Sequence, residues 1–185
     1  MNRSELLQAV AVLRRGGIVA YPTEACYGLG CDPRNHAAVR RLLALKGRAW
    51  SHGLILIADR LERLTPYLDA VPPQCAARAH STWPGPQTWL WPARPGVSRW
   101  LRGVHDTLAV RVTAHRDAAA LCRHFRAALV STSANRHGRA PARSAGEVGR
   151  AFGKQVDYVL AGPLGSSPRP TEIRDLLSDE VLRPG

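Results

Sequence analysis

The chain has 185 residues, 45% of them hydrophobic and 22% charged, which is enough apolar material for one folded core and too much for a disordered chain. Its four cysteines lack the paired short spacings of a zinc site, and the longest apolar run, Leu54 to Ala58, is far too short to span a bilayer. The formal net charge is +12, carried almost wholly by arginine, because lysine occurs only at positions 46 and 154.

Those arginines run from Arg3 to Arg183 without forming one block. They fit either a polyanionic partner or a general bias toward Arg, Ala, Gly and Pro. Glu5, Gln8, Arg14 and Arg15 interrupt the N-terminal apolar residues, which is not a signal-peptide pattern. The expectation is a cytoplasmic protein with reduced thiols, no membrane partner and a single domain over residues 1–185.

Along the chain, Ser4 and Glu5 open a helix with Leu6, Leu7, Val10 and Leu13 at helical intervals, stopped by Gly16-Gly17. Ile18 to Tyr21 reads as a buried strand, ended by Pro22, so that Thr23 stands at a strand tip. Gly28 and Gly30 punctuate a loop. Asn35 then caps a helix carrying Ala38, Val39, Leu42, Leu43 and Leu45, which Gly47 stops between Lys46 and Arg48. Those two cations can be simple helix-end charges. A second buried strand covers 53–58, and the alternation of helix and strand predicts an α/β domain.

Residues 59–67 and 72–81 read as short helices. Trp83-Pro84-Gly85-Pro86-Gln87 is a rigid turn into a strand with Thr88, Leu90 and Pro92 on one side and Trp89 and Trp91 on the other. The tryptophans suit core packing more than a base-stacking platform. Residues 97–103 are turn-rich. In the strand TLAVRVT, Leu108, Val110 and Val112 face one way, while Thr107, Ala109, Arg111 and Thr113 face the other. A half-buried guanidinium needs an anion or several acceptors, so Arg111 is either a structural ion pair or a clamp for a carboxylate or phosphate.

Residues 117–127 read as a helix burying Ala120, Leu121, His124 and Phe125. Leu129-Val130 leads into Ser131-Thr132-Ser133-Ala134-Asn135, a dense set of neutral donors and acceptors at a strand end, where open α/β sheets place ligands. Ser144, with Glu147, caps a helix carrying Val148, Ala151 and Phe152. Residues 158–160 are strand-like, 162–170 form a flexible cover, and 171–176 form the last strand.

The sequence holds no GxxxxGK[ST] loop, no GxGxxG after a strand, no HExxH, no nucleophile elbow and no CxxC. What it holds is cations (Lys46, Arg48, Arg111) and hydroxyl or amide groups (Thr23, Ser131, Ser133, Asn135) at element ends. Such a set suits reactions at phosphates, where the protein positions groups and neutralises charge.

In order and spacing, Pro22-Thr23-Glu24-Ala25, Tyr27-Gly28-Leu29-Gly30, Lys46-Gly47-Arg48, Trp83-Pro84-Gly85-Pro86-Gln87-Thr88, Leu108-Ala109-Val110-Arg111-Val112 and Ser131-Thr132-Ser133-Ala134-Asn135 resemble the YrdC/TsaC family across almost the whole chain. The short bacterial TsaC type is the nearest in form. The resemblance implies a twisted mixed sheet with flanking helices around a basic concave surface. It also implies an L-threonylcarbamoyladenylate synthase, joining L-threonine, bicarbonate and ATP, with Mg²⁺, into threonylcarbamoyl-AMP and diphosphate. The product would pass to partner enzymes that modify the adenosine beside the anticodon of certain tRNAs, and tRNA or double-stranded RNA would be a further partner for the arginine excess.

By the same resemblance, Lys46 and Arg48 are the catalytic cations at the ATP phosphates, with Ser131, Ser133 and Asn135 beside the nucleotide. Thr23, Thr107, Arg111 and Thr171 fall where the family binds threonine. No permanently bound metal is implied. Ala25 stands where many members have threonine, and His137 stands where serine is usual; neither touches the cations. The implied chemistry is attack of a carbamate oxygen on the α-phosphate, with no general base evident. Two rivals remain at this point: a basic RNA-binding protein without catalysis, and a related domain acting in another carbamoyl transfer.

Overall fold

The computed structural model describes residues 2–167 and 169–185. The first helix, α1 (Arg3–Arg14), begins one residue before Ser4. Asn2 is its cap, accepting from the Glu5 amide while the Glu5 side chain accepts from the Asn2 amide. Its buried face is Leu6, Ala9, Val10 and Leu13, and Leu7 points to solvent.

Strand β1 (Val19–Pro22) turns directly into β2 (Tyr27–Gly30) as an antiparallel hairpin. The two glycines expected in a loop therefore lie in a strand, and packing explains why. A Cβ on Gly30 would sit 2.6 Å from the Val130 carbonyl and 2.8 Å from the Tyr21 ring, so only glycine lets the strands approach this closely.

Helix α2 (His36–Lys46) is capped by Asn35 and ended by Gly47 in the left-handed conformation, φ 61°, as the sequence predicts. Strand β3 (Ile55–Ala58) follows. Residues 59–67 form two short 3-10 turns rather than one helix. Next come α3 (Pro73–Thr82), β4 (Thr88–Pro92), the short α4 (Arg99–Arg102) and β5 (Thr107–Val112).

Helix α5 (Arg116–Phe125) buries Leu121 and Phe125 as expected, but Ala118 and Cys122 complete the stripe in place of Ala120 and His124, so His124 is exposed. Strand β6 (Leu129–Ser133), α6 (Ala145–Phe152), capped by Ser144, and β7 (Tyr158–Val159) come next. The chain does not end at β8 (Ile173–Asp175). A further strand, β9 (Val181–Arg183), pairs with it antiparallel.

The strands form one mixed, twisted sheet in the order β7-β1-β2-β6-β3-β5-β4-β8-β9. Two cores cover its faces. The larger takes Leu56, Val110 and Val112 with Trp89, Trp91 and the apolar sides of α2, α3 and α6, so these tryptophans are core residues. The smaller packs α1 and α5 on Val19, Tyr21, Ile57 and Leu129. On that second face the helices stop short, and the sheet beyond Ile57 is left open. Among the described residues no helix is long and apolar enough to cross a membrane, and all four cysteines are free.

Candidate functional site

The uncovered part of the sheet is the floor of a cavity of about 390 Å³. Strand alternation decides what faces it. Thr107, Ala109 and Arg111 of β5 line the cavity, while Leu108, Val110 and Val112 enter the core. Ser131 and Ser133 of β6 line it with Gly28, Ile55, Leu90 and Ile173 from β2, β3, β4 and β8. Small residues at 28 and 109 keep the floor low.

One end is built around Arg111, which is only 5% exposed. Its Nη1 donates to Thr171 Oγ1 at 2.7 Å and to Thr88 Oγ1 at 3.1 Å, and its Nη2 donates to Glu24 Oε2 at 3.3 Å. The other Glu24 oxygen accepts from Thr113 Oγ1 at 2.6 Å. Arg111 thus has both the anion and the several acceptors that a buried guanidinium requires. Its Nε is buried with no partner among the described residues.

Glu24 is carried into this position by the β1–β2 hairpin tip. There Thr23 closes the turn by donating through its amide, at 3.0 Å, and its Oγ1, at 2.7 Å, to the Cys26 carbonyl. The segment 162–167, expected as a flexible cover, is pinned to the same tip: the Gly165 amide donates to the Thr23 carbonyl and the Ser167 amide to the Glu24 carbonyl. Pro168, in the same expected cover, lies outside the described residues.

The other end belongs to Arg48. Its Nε donates to the Gly53 carbonyl at 3.2 Å and its Nη2 to the His52 carbonyl at 3.3 Å. Among the described residues its Nη1 has no partner and no carboxylate pairs with it, and burial lowers its pKa from the ordinary value. Thr107 stands at this end. It begins β5, four positions before Arg111, a distance of about 13 Å at about 3.3 Å per residue.

Lys46 is brought to the Ser133–Asn135 loop but behind the cavity wall. It is 5% exposed, and its ammonium spends all three protons there, on the Ser133 carbonyl, the Asn135 carbonyl at 2.9 Å and Asn135 Oδ1 at 3.1 Å. Ser133 Oγ also donates to Asn135 Oδ1, at 2.6 Å. Burial first, and then the neighbouring Arg48 charge, push the Lys46 pKa down to about 8.

Of the nine residues singled out from sequence, Thr23, Arg48, Thr107, Arg111, Ser131, Ser133 and Thr171 line one cavity, while Lys46 and Asn135 brace its wall. Residues that sequence reasoning passed over are Glu24, Thr88 and Thr113, the partners around Arg111, and Arg183 on β9. A mid-strand arginine was the available signal for a carboxylate partner, but spacing could not say which of the 14 acidic residues it was.

Among the described residues no group of three or more His, Cys, Asp or Glu could hold a metal ion. The donor set is made of guanidiniums, hydroxyls and amides, which suits anionic oxygens and does not fit a resident cation.

A family model described as Telomere recombination, covering Sua5, YciO and YrdC proteins, matches residues 11–185. The "Threonylcarbamoyl-AMP synthase" of Halorhodospira halophila is 57% identical over 175 residues, 95% of this chain and 92% of that one. The protein of the same name from Thiobacillus denitrificans is 54% identical over 173 residues, 94% and 92% of the two chains. Among solved structures, P. abyssi Sua5 complexed with L-threonine superposes with a TM-score of 0.93 at 30% identity, covering 100% of this chain and 55% of its own. E. coli YciO superposes with a TM-score of 0.83 at 29% identity, covering 100% and 90%.

Proposed function

Because the chain belongs to the Sua5/YciO/YrdC family, we propose that it is an L-threonylcarbamoyladenylate synthase acting as one domain over residues 1–185. The observation that carries this reading is one cavity lined by Ser131 and Ser133, with a paired arginine and hydroxyls at one end and, at the other, an arginine that has no carboxylate partner among the described residues. Relatives at 57% and 54% identity carry that activity in their names, and a Sua5 of the same fold is described in complex with L-threonine.

In this reading L-threonine occupies the Arg111 end. Its carboxylate meets Arg111, whose Nε is the uncommitted buried donor, and its polar groups meet Thr23 and Thr171. ATP lies toward Arg48, Ser131 and Ser133; Thr107, expected among the threonine-binding residues, is assigned to this end instead because it begins β5, four positions from Arg111. Arg48 offers its free Nη1 to the phosphates. Lys46 acts through the loop, because its three hydrogen bonds fix Asn135 and the Ser133 carbonyl. Mg²⁺ enters with ATP as part of the substrate, and the cavity's guanidiniums and hydroxyls meet the phosphate oxygens.

The chemistry balances in two steps. The threonine amine and bicarbonate give the carbamate and water. A carbamate oxygen then attacks the α-phosphorus, forming the P–O bond of threonylcarbamoyl-AMP and breaking the bond to diphosphate. The chain contributes orientation and charge neutralisation, since the carbamate, the carboxylate and the triphosphate are all anions brought together in one cavity. Its product serves threonylcarbamoylation of tRNA adenosine by partner enzymes in the cytoplasm, and arginines outside the cavity serve contact with tRNA.

The test is diphosphate release by the purified protein. It is expected only when ATP, L-threonine and bicarbonate are all present. Release indifferent to threonine, or none, overturns the assignment.

A further inference from the structure

We propose that Tyr21 is a positioning residue for the reaction: its buried hydroxyl aims the Ser131 hydroxyl at the nucleotide from behind the cavity floor. The inference rests on the synthase reading, in which ATP lies against Ser131, and adds to it a residue of the smaller core rather than of the cavity lining.

The placement follows from two bare positions in β2. Tyr21 on β1 pairs with Gly28, and the β2–β6 register, Gly28 with Ser133 and Leu29 with Thr132, sets Gly30 opposite Ser131. Paired residues on neighbouring strands share a face, so Tyr21, both glycines and Ser131 point to the same side of the sheet. With no side chain at 28 or 30, the Tyr21 ring lies over β2 toward β6. A Cβ on Gly30 would stand 3.1 Å from the Tyr21 hydroxyl, and one on Gly28 would stand 3.5 Å from Tyr21 Cε2 and 3.4 Å from Ser131 Oγ. The two side chains thus lean over the same glycine strand from opposite sides.

Two features separate Tyr21 from an ordinary core tyrosine. It is 0% exposed, yet among the described residues its hydroxyl has no hydrogen-bond partner, whereas a buried tyrosine O–H usually finds one. Ser131 Oγ is also near enough to act on it: burial first raises the Tyr21 pKa from the ordinary phenol value, and the Ser131 hydroxyl comes next and lowers it. The pair nevertheless stops short of hydrogen-bond geometry. A small turn of Ser131 about its Cα–Cβ bond closes it. Burial keeps the phenol protonated, so Tyr21 is the donor. A serine hydroxyl has one proton and two lone pairs; with one lone pair taken by Tyr21, the serine proton is turned into the cavity, toward an anionic oxygen of the nucleotide. The Tyr21–Ser131 hydrogen bond and the Ser131–nucleotide hydrogen bond therefore form together.

The experiment compares wild type, Y21F, S131A and the double variant in steady-state diphosphate release and in thermal unfolding with and without a non-hydrolysable ATP analogue. Phe keeps the ring over both glycines and removes only the hydroxyl. The expected result in Y21F is a KM for ATP higher by about tenfold, the scale of one net hydrogen bond, with kcat and KM for threonine near wild type. The Tm without nucleotide should not fall, because the hydroxyl removed has no partner to lose, while the Tm gain from the analogue should shrink. In the S131A background, Y21F should change neither KM for ATP nor that gain. An equal KM for ATP in Y21F and wild type overturns the inference, and so does a lower Tm without nucleotide or a Y21F effect that persists in S131A. If wild type releases no threonine-dependent diphosphate, the synthase reading has failed, and the analogue alone decides Tyr21: an equal Tm gain in wild type and Y21F overturns its role.

Discussion

Lys46 and Asn135 lie 89 positions apart in the chain, yet the Lys46 ammonium donates to Asn135 twice, at 2.9 Å to its carbonyl and at 3.1 Å to its Oδ1. The third proton goes to the Ser133 carbonyl. Replacing Lys46 with Met, which keeps the stem and removes the ammonium, leaves the Asn135 carbonyl without its donor, while the Ser133 carbonyl keeps the Asn135 amide and Asn135 Oδ1 keeps the Ser133 hydroxyl. At about 1–3 kcal/mol for one buried unsatisfied group, the expected loss is about 1–3 kcal/mol. Thermal unfolding should show it, and KM for ATP should rise because the Ser133 wall is no longer fixed.

The same ammonium predicts a pH dependence. With its pKa pushed down to about 8 by burial and then by Arg48, Lys46 is charged below that pH and neutral above it. A neutral amine has two protons for three acceptors, so diphosphate release should fall as pH rises through about 8. The stability sign is the reverse. The folded pKa lies below the ordinary 10.5 of a lysine, so the unfolded chain binds the extra proton between the two values. This group's cost to folding is full below about 8 and is relieved as pH approaches 10.5. Arg48→Gln should move the alkaline limb of the residual activity upward, since it removes one cause of the depression.

Local signals carried much of the fold. Asn35 and Gly47 bound α2 as expected because caps act within one turn, and the alternation in TLAVRVT sorted Arg111 from Val110 correctly because strand period is local. What failed was decided by distant packing. Gly28 and Gly30 read as a loop until Tyr21 and the Val130 carbonyl are placed against them. The α5 stripe holds Leu121 and Phe125 as expected, but its other members are Ala118 and Cys122 in place of Ala120 and His124, because both phases fit the sequence and only packing on the α1 side selects between them. For the site, the residue types were legible, but the pairing of Glu24 with Arg111 spans 87 positions and has no local signature.

That pair makes its own prediction. Glu24 neutralises Arg111 and is itself 8% exposed. In Glu24→Gln the shape is kept and the counter-charge is lost, which for one partner of a buried pair costs about 3–5 kcal/mol. The Tm should therefore drop. An incoming carboxylate would then find Arg111 uncompensated, so saturating L-threonine should raise the Tm of the variant by more than it raises that of wild type. Equal threonine shifts would mean that the substrate carboxylate binds elsewhere.

Thr107 and Thr171 separate the two ends of the cavity. Thr171 Oγ1 accepts from Arg111 at 2.7 Å, whereas Thr107 lies at the Arg48 end of β5. Thr171→Val removes an acceptor beside the threonine site and should raise KM for threonine by about tenfold, near 1.4 kcal/mol. Thr107→Val should leave that KM nearly unchanged and act on KM for ATP. Steady-state titration of each substrate against the other at saturation distinguishes them.

Gly30 tests whether the hairpin sets the height of the cavity floor. Its added Cβ would meet the Val130 carbonyl at 2.6 Å, the Tyr21 Cε1 at 2.8 Å and the Tyr21 hydroxyl at 3.1 Å. The first contact is backbone and cannot rotate away, and the Tyr21 ring is fully buried among α1 and α5 residues. In Gly30→Ala, β2 must therefore move off β6, at a cost of about 1–3 kcal/mol for overpacking. Gly28 and Ser133, paired across those two strands, move apart with it. The Tm should fall and KM for ATP should rise together. Pairing the variant with Tyr21→Ala relieves the ring contact but not the carbonyl contact, so the double variant should recover neither the strand spacing nor the ATP KM; full recovery would place the constraint in the Tyr21 ring instead of the β2–β6 backbone.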